Sequence, residues 1–262
     1  MALILPKVLS EKEFKQHSKR CTVTPNAHLQ GMDRYKYGKP DPPFEIYKLT
    51  ENGILFPKYY AVKHLKSNYE NVHINKDSNI EIQFSGNLRE YQEEAIEKIT
   101  KSYYENGGAL LCFGCGLGKT VVATYMIHKM KLKTAVIVHK TFLVNQWKER
   151  ISMFLPDAKV GIIQGDTIDT KDKDIVLVML QTLSMKGIDS TILNQFGQLI
   201  VDECHHIAAK VFSRGMFKIP TKYTLGLSAT PNRKDGLGYV IEWVLGPIVM
   251  SMENIYETQV ID

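Results

Sequence analysis

Lys119 and Thr120 close a glycine-rich turn, and Asp202 and Glu203 close an apolar run 83 residues after that lysine. In ALLCFGCGLGKT (109–120), four apolar residues lead into Phe113, Gly114, Cys115, Gly116, Leu117 and Gly118. Glycines permit positive φ and let backbone N–H groups approach phosphate oxygens. A helix beginning at Lys119 would aim its N-terminus at the same place. Lys119 would neutralise β- and γ-phosphates, and the Thr120 hydroxyl would ligate Mg²⁺. The strict phosphate-loop pattern wants glycine at 113, where Phe113 stands. A plain glycine turn joining strand to helix is the competing reading.

The second anchor is LIVDECHH (199–206). At the C-terminal edge of a parallel sheet its carboxylates would face the phosphate loop. Asp202 would hold Mg²⁺ through its water shell, and Glu203 would polarise an attacking water. Taken alone, this is a strand end with solvated acids. A GKT loop and an apolar-DE strand end in one αβ pattern, in this order, specify a nucleotide-hydrolysing site. His205 could link the carboxylates to Ser228 and Thr230 by hydrogen bonds. His206 has no assigned role.

These groups need a scaffold. From residue 109 onward the sequence alternates short apolar runs with helical patterns. Strands are predicted at 109–112, 134–138, 160–163, 175–179, 198–201 and 223–228, and helices at 119–130, 142–154, 190–196, 239–245 and near 208–213. That alternation predicts an α/β fold with a mostly parallel sheet covered on both faces. Leu88 to Tyr104 carries a helical stripe, with Asn87 as cap and Glu90 closing the box. Ahead of it, Ser10 and Glu13 open a helix over 11–20. FEIYKLT and ILFPKYYAV flank Asn52-Gly53 as a hairpin, with Pro57 at an edge or bulge. Residues 71–74 and 80–84 suit a second hairpin. Residues 1–86 thus read as a small mixed α+β accessory domain, and 87–262 as the main lobe.

The chain has 262 residues and a net charge of +5. Residues 1–86 hold 13 Lys/Arg against 9 Asp/Glu, so the basic excess lies there. That balance suits a polyanion partner or a solvated lysine-rich surface. Phe44, Tyr47, Phe56, Tyr59 and Tyr60 interleave with Lys48, Lys58, Lys63 and Lys66. The pattern suits nucleic-acid binding, and the aromatics equally suit the core of a small β-domain. Four cysteines with no second C-x-x-C pair give no zinc site and fit a reducing compartment. The apolar N-terminal run ends at Pro6, too short for a signal peptide or a span. An intracellular, soluble protein is expected.

The chain resembles the superfamily 2 helicases and nucleic-acid translocases, over motifs from Leu88 to Pro231. LREYQ (88–92) is similar to the segment whose glutamine reads adenine, which implies that role for Gln92. GCGLGKT is similar to motif I, DECH (202–205) to motif II in its DExH form, and SAT (228–230) to motif III. VHKTFLVNQWKER (138–150) and IVLVMLQTLS (175–184) are similar to the motifs that follow the nucleic-acid backbone, which implies contacts by Thr141, Gln146, Gln181 and Thr182. Ser228 and Thr230 would couple the ATP site to that face, and Arg233 beside them would face nucleic acid, a second domain or solvent. LGLSATPNRKDGLG (225–238) adds a finer resemblance to XPB-type DNA translocases, phage branch-migration helicases and the transcript-release helicases of large cytoplasmic DNA viruses.

The resemblance implies a RecA-like lobe, ATP and Mg²⁺ as cofactors, DNA or RNA as partner, and a second RecA-like lobe that supplies arginines. The sequence ends about thirty residues past SAT, so an N-terminal portion with weak hydrolysis of its own is expected. The setting would be the nucleus, or the cytoplasm or virion if the protein is viral. No membrane partner is expected. A regulatory ATP-binding module and a nuclease subunit using the same motor are the other classes.

Overall fold

The computed structural model describes residues 2–4, 9–25, 42–51, 53–65, 70–71, 78–206, 209–230 and 236–253. The N-terminal portion runs β1 (Ala2–Ile4), α1 (Glu11–Arg20), β2 (Thr22–Val23), β3 (Phe44–Glu45), β4 (Lys48–Thr50), β5 (Gly53–Phe56), α2 (Lys58–His64) and β6 (Glu70–Asn71). Helix α1 begins with the expected box: Ser10 N–H donates to Glu13 at 2.8 Å, and Glu13 N–H donates to Ser10 Oγ at 3.3 Å. Strands β4 and β5 form the expected hairpin, with Thr50 opposite Gly53. Strand β1 pairs antiparallel with β5 and β6.

Two expectations fail in this portion. The strand expected through Val62 stops at Phe56, and Pro57 starts helix α2 instead. Proline lacks an N–H, and a helix start is where that loss costs least. Tyr59, Tyr60 and Ala61 then face inward while Val62 and Lys63 stay outside. The second hairpin does not form either. Of its first half, 72–74 lie outside the described residues, and Ile80 to Phe84 are not a strand. The alternation there is real, since Ile80 and Ile82 are buried and Glu81 is exposed. It packs on the lobe instead: Ile80 N–H donates to Lys131 O at 3.0 Å, and both isoleucines join the lobe's core.

Phe44, Phe56, Tyr59 and Tyr60 are buried. Their faces are closed to bases, so the core alternative holds for these four. Phe44, Phe56 and Tyr60 share a core that also takes in Leu237 and Val240, far along the chain.

The lobe follows as α3 (Glu90–Asn106), β7 (Gly108–Phe113), α4 (Lys119–Met130), β8 (Thr134–Val138), α5 (Thr141–Phe154), β9 (Val160–Gln164), β10 (Thr167–Asp169), β11 (Ile175–Met179), α6 (Leu180–Met185), α7 (Ser190–Leu193), β12 (Gln198–Val201), α8 (Ala209–Met216), β13 (Tyr223–Ser228), α9 (Gly238–Leu245) and β14 (Ile248–Met252). The cap of α3 is Arg89, two residues after the expected Asn87, and Gln92 rather than Glu90 bonds back to it. Helix α7 ends at Leu193, short of the expected 196.

One sheet runs β10-β9-β11-β8-β12-β13-β7-β14. Every pair is parallel except β10 with β9. Strands β7, β8, β11, β12 and β13 are buried along their whole length, as a sheet covered on both faces requires. One layer contains Ile99, Met126 and Trp147, and the other contains Leu183, Phe196 and Ile241. The chain passes from β7 to β8 and later returns to place β12 and β13 between them. That reversal brings the ends of β7 and β12 to one crevice, the usual ligand position in such sheets.

Candidate nucleotide site and its DECH segment

Strand β7 extends through Phe113, which is fully buried against the edge of Tyr91, with ring centroids 5.8 Å apart. The absent glycine is therefore a strand residue here, and the turn proper begins at Gly114. Gly114 N–H donates to Met252 O on β14 at 2.9 Å, which ties down the start of the turn. Gly116 and Gly118 have φ of +80° and +79°, a region that favours glycine. Gly118 also has a packing reason, because a Cβ there would lie 2.3 Å from Gln92 Nε2.

Lys119 is the first residue of α4 and is buried. Its ammonium donates to Phe113 O at 2.9 Å and lies 3.7 Å from Glu203 Oε1. The lysine thus bridges the two anchors. Asp202, just past β12, is buried too. Trp147 Nε1–H donates to its Oδ2 at 2.8 Å, and Glu203 N–H donates to its Oδ1 at 3.0 Å. Burial raises the Asp202 carboxyl above its ordinary value, while the Trp147 bond opposes that shift. Glu203 sits at φ +47°, a strained position for a non-glycine residue. Its Oε2 is buried with no hydrogen-bond partner among the described residues. His205 Nδ1 lies 3.4 Å from that oxygen. His205 Nδ1 in turn meets Ser228 Oγ at 3.0 Å, and Thr230 N–H donates to Ser228 Oγ at 3.2 Å.

A cavity of about 630 Å³ opens over these groups. Gln92, Cys115, Gly116, Gly118, Lys119, Thr120, Asp202 and Glu203 all line it. Gly114 and Leu117 stay in the turn, where Leu117 O accepts from Gln92 Nε2 at 3.3 Å and from Tyr91 at 3.2 Å. Gln146, expected on the nucleic-acid face, lines this cavity instead. It lies on a stripe of α5 with Leu143, Arg150 and Phe154, spaced to share one helix face. Sequence reading missed Arg89, Arg150 and the Trp147–Asp202 bond. The stripe's three- and four-residue spacing was the available signal for Arg150; the bond had none.

The groups present fit a nucleotide with Mg²⁺. Among the described residues no cluster of three His, Cys, Asp or Glu could hold a metal by itself. Mg²⁺ is ordinarily held by one or two carboxylates plus phosphates, and Thr120 with Asp202 offers that partial set. Glu203 lines the same cavity.

The other expected contacts divide. Thr141 and Gln181 are exposed at the first turns of α5 and α6. Thr182 is buried, and its hydroxyl accepts from Gly165 N–H at 2.9 Å. That bond ties the β9–β10 turn to the start of α6. Thr230 is exposed. Arg233 lies outside the described residues.

A RecA-like lobe carrying a phosphate loop, a DECH segment and SAT defines the class of superfamily 2 helicases, here the N-terminal part. Within it, the chain belongs to the family described as "Type III restriction enzyme, res subunit", whose model matches residues 85–233. Relatives include a protein of Acanthamoeba polyphaga mimivirus named as an ATP-dependent RNA helicase, 40% identical over 79% of this chain and 40% of its own length. A protein of Invertebrate iridescent virus 6 named as a helicase is 32% identical over 69% of this chain and 41% of its own. The DNA 3′-5′ translocase XPB2 of Sulfurisphaera tokodaii is 34% identical over 62% and 35%. This chain thus spans less than half the length of each of these relatives. In fold it is similar to the UvsW helicase of bacteriophage T4, at 20% identity and TM-score 0.60 over 92% of this chain and 93% of that one. It also matches the Sulfolobus solfataricus SWI2/SNF2 ATPase core in complex with dsDNA, at 21% identity and TM-score 0.51 over 67% and 38%. Among the described residues no helix is long and apolar enough to cross a membrane.

Proposed function

We propose that this chain is the ATP-binding portion of a DNA helicase or translocase. The observation that carries the reading is the continuous chain of contacts Lys119–Glu203–His205–Ser228, which joins the phosphate loop to the SAT segment. Residues 1–86 serve as an accessory portion and 87–262 as the first motor lobe. In this lobe, Lys119 and the loop N–H groups bind the triphosphate, and Gln92 contacts the base. Thr120 and Asp202 hold Mg²⁺, which supplies charge neutralisation between phosphates. Glu203 accepts a proton from the attacking water, and His205 passes the state of the site to Ser228 and Thr230. Thr141 and Gln181 touch the nucleic-acid backbone, so binding should depend strongly on salt and weakly on sequence.

A second lobe in a longer protein would complete the site with arginines. Such groups contribute about 10³–10⁵ in rate in other nucleotide hydrolases, so this chain alone should turn over slowly. RNA is the second reading, favoured by the name that the mimivirus relative carries. The deciding experiment measures ATP turnover of this chain and of a C-terminally extended version, each with single-stranded DNA, duplex DNA or RNA. Stimulation of the extended version by DNA supports the proposal, and stimulation by RNA alone transfers it to RNA. Fast turnover by this chain alone, abolished in Lys119→Ala, refutes the need for a second lobe.

A further inference from the structure

Trp147 is 1% exposed and belongs to the lobe's core. Packing alone would explain an aromatic residue there, but not the direction of its indole N–H. That group donates at 2.8 Å to Oδ2 of Asp202, across 55 residues of sequence. The other Asp202 oxygen accepts the Glu203 N–H at 3.0 Å, and the Asp202 N–H itself donates to Ile137 O at 3.0 Å. The carboxylate is therefore fixed at both oxygens and at its backbone. Each oxygen keeps a second lone pair, since a carboxylate offers about four acceptor sites. A buried carboxylate with a single anchor could rotate about its Cβ–Cγ bond, and an ionised one without donors would be costly to bury.

Resting on the nucleotide-site reading above, we propose that Trp147 is a positioning residue for the metal-binding carboxylate Asp202. Its N–H sets the plane of the carboxylate and leaves the remaining lone pairs directed at the Mg²⁺ water shell. Partners of this kind behind a metal ligand typically account for 10–100-fold in metal affinity or activity. The position of Trp147 on α5 adds a consequence. Thr141 lies six residues, about 9 Å, nearer the helix start, so a displacement of α5 at its nucleic-acid end would reach the carboxylate through the indole.

The test separates the hydrogen bond from the packing. Trp147→Phe removes the donor and part of the ring. Replacing Trp147 by β-(3-benzothienyl)alanine keeps the bicyclic shape and puts sulfur where the N–H was. Binding of a fluorescent ATP analogue to the chain is measured in chelator and in saturating Mg²⁺, with urea unfolding as a check on the fold. Both variants are expected to keep metal-free affinity and to lose about 10-fold of the gain that Mg²⁺ brings. A benzothienyl variant with the full Mg²⁺ gain reduces Trp147 to a packing residue and overturns the proposal. So does an equal loss with and without Mg²⁺. A wild-type chain that binds no nucleotide in either condition fails differently, because it removes the nucleotide-site reading and this inference together.

Discussion

Gly118→Ala and Gly116→Ala form a pair that isolates what the second glycine does. Both positions have φ near +80°, so each alanine carries a left-handed penalty of about 1 kcal/mol. They differ in surroundings. A Cβ on Gly116 meets nothing within 4 Å, whereas one on Gly118 lies 2.3 Å from Gln92 Nε2. That amide is the far end of a side chain and can move, but moving it breaks two contacts. Gln92 Oε1 accepts the Arg89 N–H at 3.0 Å, and Gln92 Nε2 donates to Leu117 O at 3.3 Å. At about 1 kcal/mol net for each bond, Gly118→Ala should cost about 3 kcal/mol of stability against about 1 for Gly116→Ala. Urea unfolding monitored by circular dichroism reads the difference directly. Competition of ATP with GTP for the site reads the functional side: Gly118→Ala should lose base preference as Gln92 is displaced, and Gly116→Ala should keep it. Equal destabilisation in the two variants, with base preference intact in both, would refute the argument that Gly118 exists to seat Gln92.

Two further outcomes are expected. Glu203→Gln should leave nucleotide binding in place while lowering nucleic-acid-stimulated turnover of the extended protein by about 10²–10⁴, as measured by phosphate release. Burial and the nearby Lys222 push the Lys58 ammonium down from 10.5 to about 8. Between those values the unfolded chain holds more protons than the folded one, so stability should rise as pH goes from about 8 to 10.5. Urea midpoints across that range should show the rise in wild type and a flatter curve in Lys58→Met.

Much of the lobe was legible because its strands are buried on both faces. AVIV and IVLVM admit few readings once glycine or polar residues bracket them, and β8, β11, β12 and β13 fall on the expected residues. The groups that line the cavity were legible as candidates because GCGLGKT and DECH are each local in sequence. What escaped was set by partners distant in sequence. KYYAV reads as a strand until Tyr59 finds Thr224 and Tyr60 finds Trp243, and three consecutive residues, Tyr59 to Ala61, then face inward, which an alternating strand does not allow. Ile80 and Ile82 alternate like a hairpin strand, yet their partner is the lobe's core. Strand β14 follows Gly246-Pro247 and joins the sheet by pairing with β7, a contact more than a hundred residues away. Gln146 and Thr182 were assigned by motif, and only helix phase and the Gly165 bond show which way each faces.

Strand β13 connects these observations. Near its start, the Thr224 hydroxyl meets Tyr59 OH of the N-terminal portion at 3.0 Å and donates to Leu245 O at 2.7 Å. At its end, Ser228 meets His205 of the DECH segment at 3.0 Å. The two points are four residues apart, about 13 Å along an extended strand. Helix α9 binds the same parts a second time, with Leu237 at its cap and Val240 in the N-terminal core and Ile241, Val244 and Leu245 in the lobe's second layer. Sliding the N-terminal portion over the lobe would therefore break a buried hydrogen bond and separate Tyr60 from Trp243, whose rings lie 4.7 Å apart. Nucleotide chemistry at Glu203, as proposed, acts in a lobe to which these described contacts tie the N-terminal portion. On the proposed reading, the stroke must fall between this unit as a whole and a further body that closes over the 630 Å³ cavity.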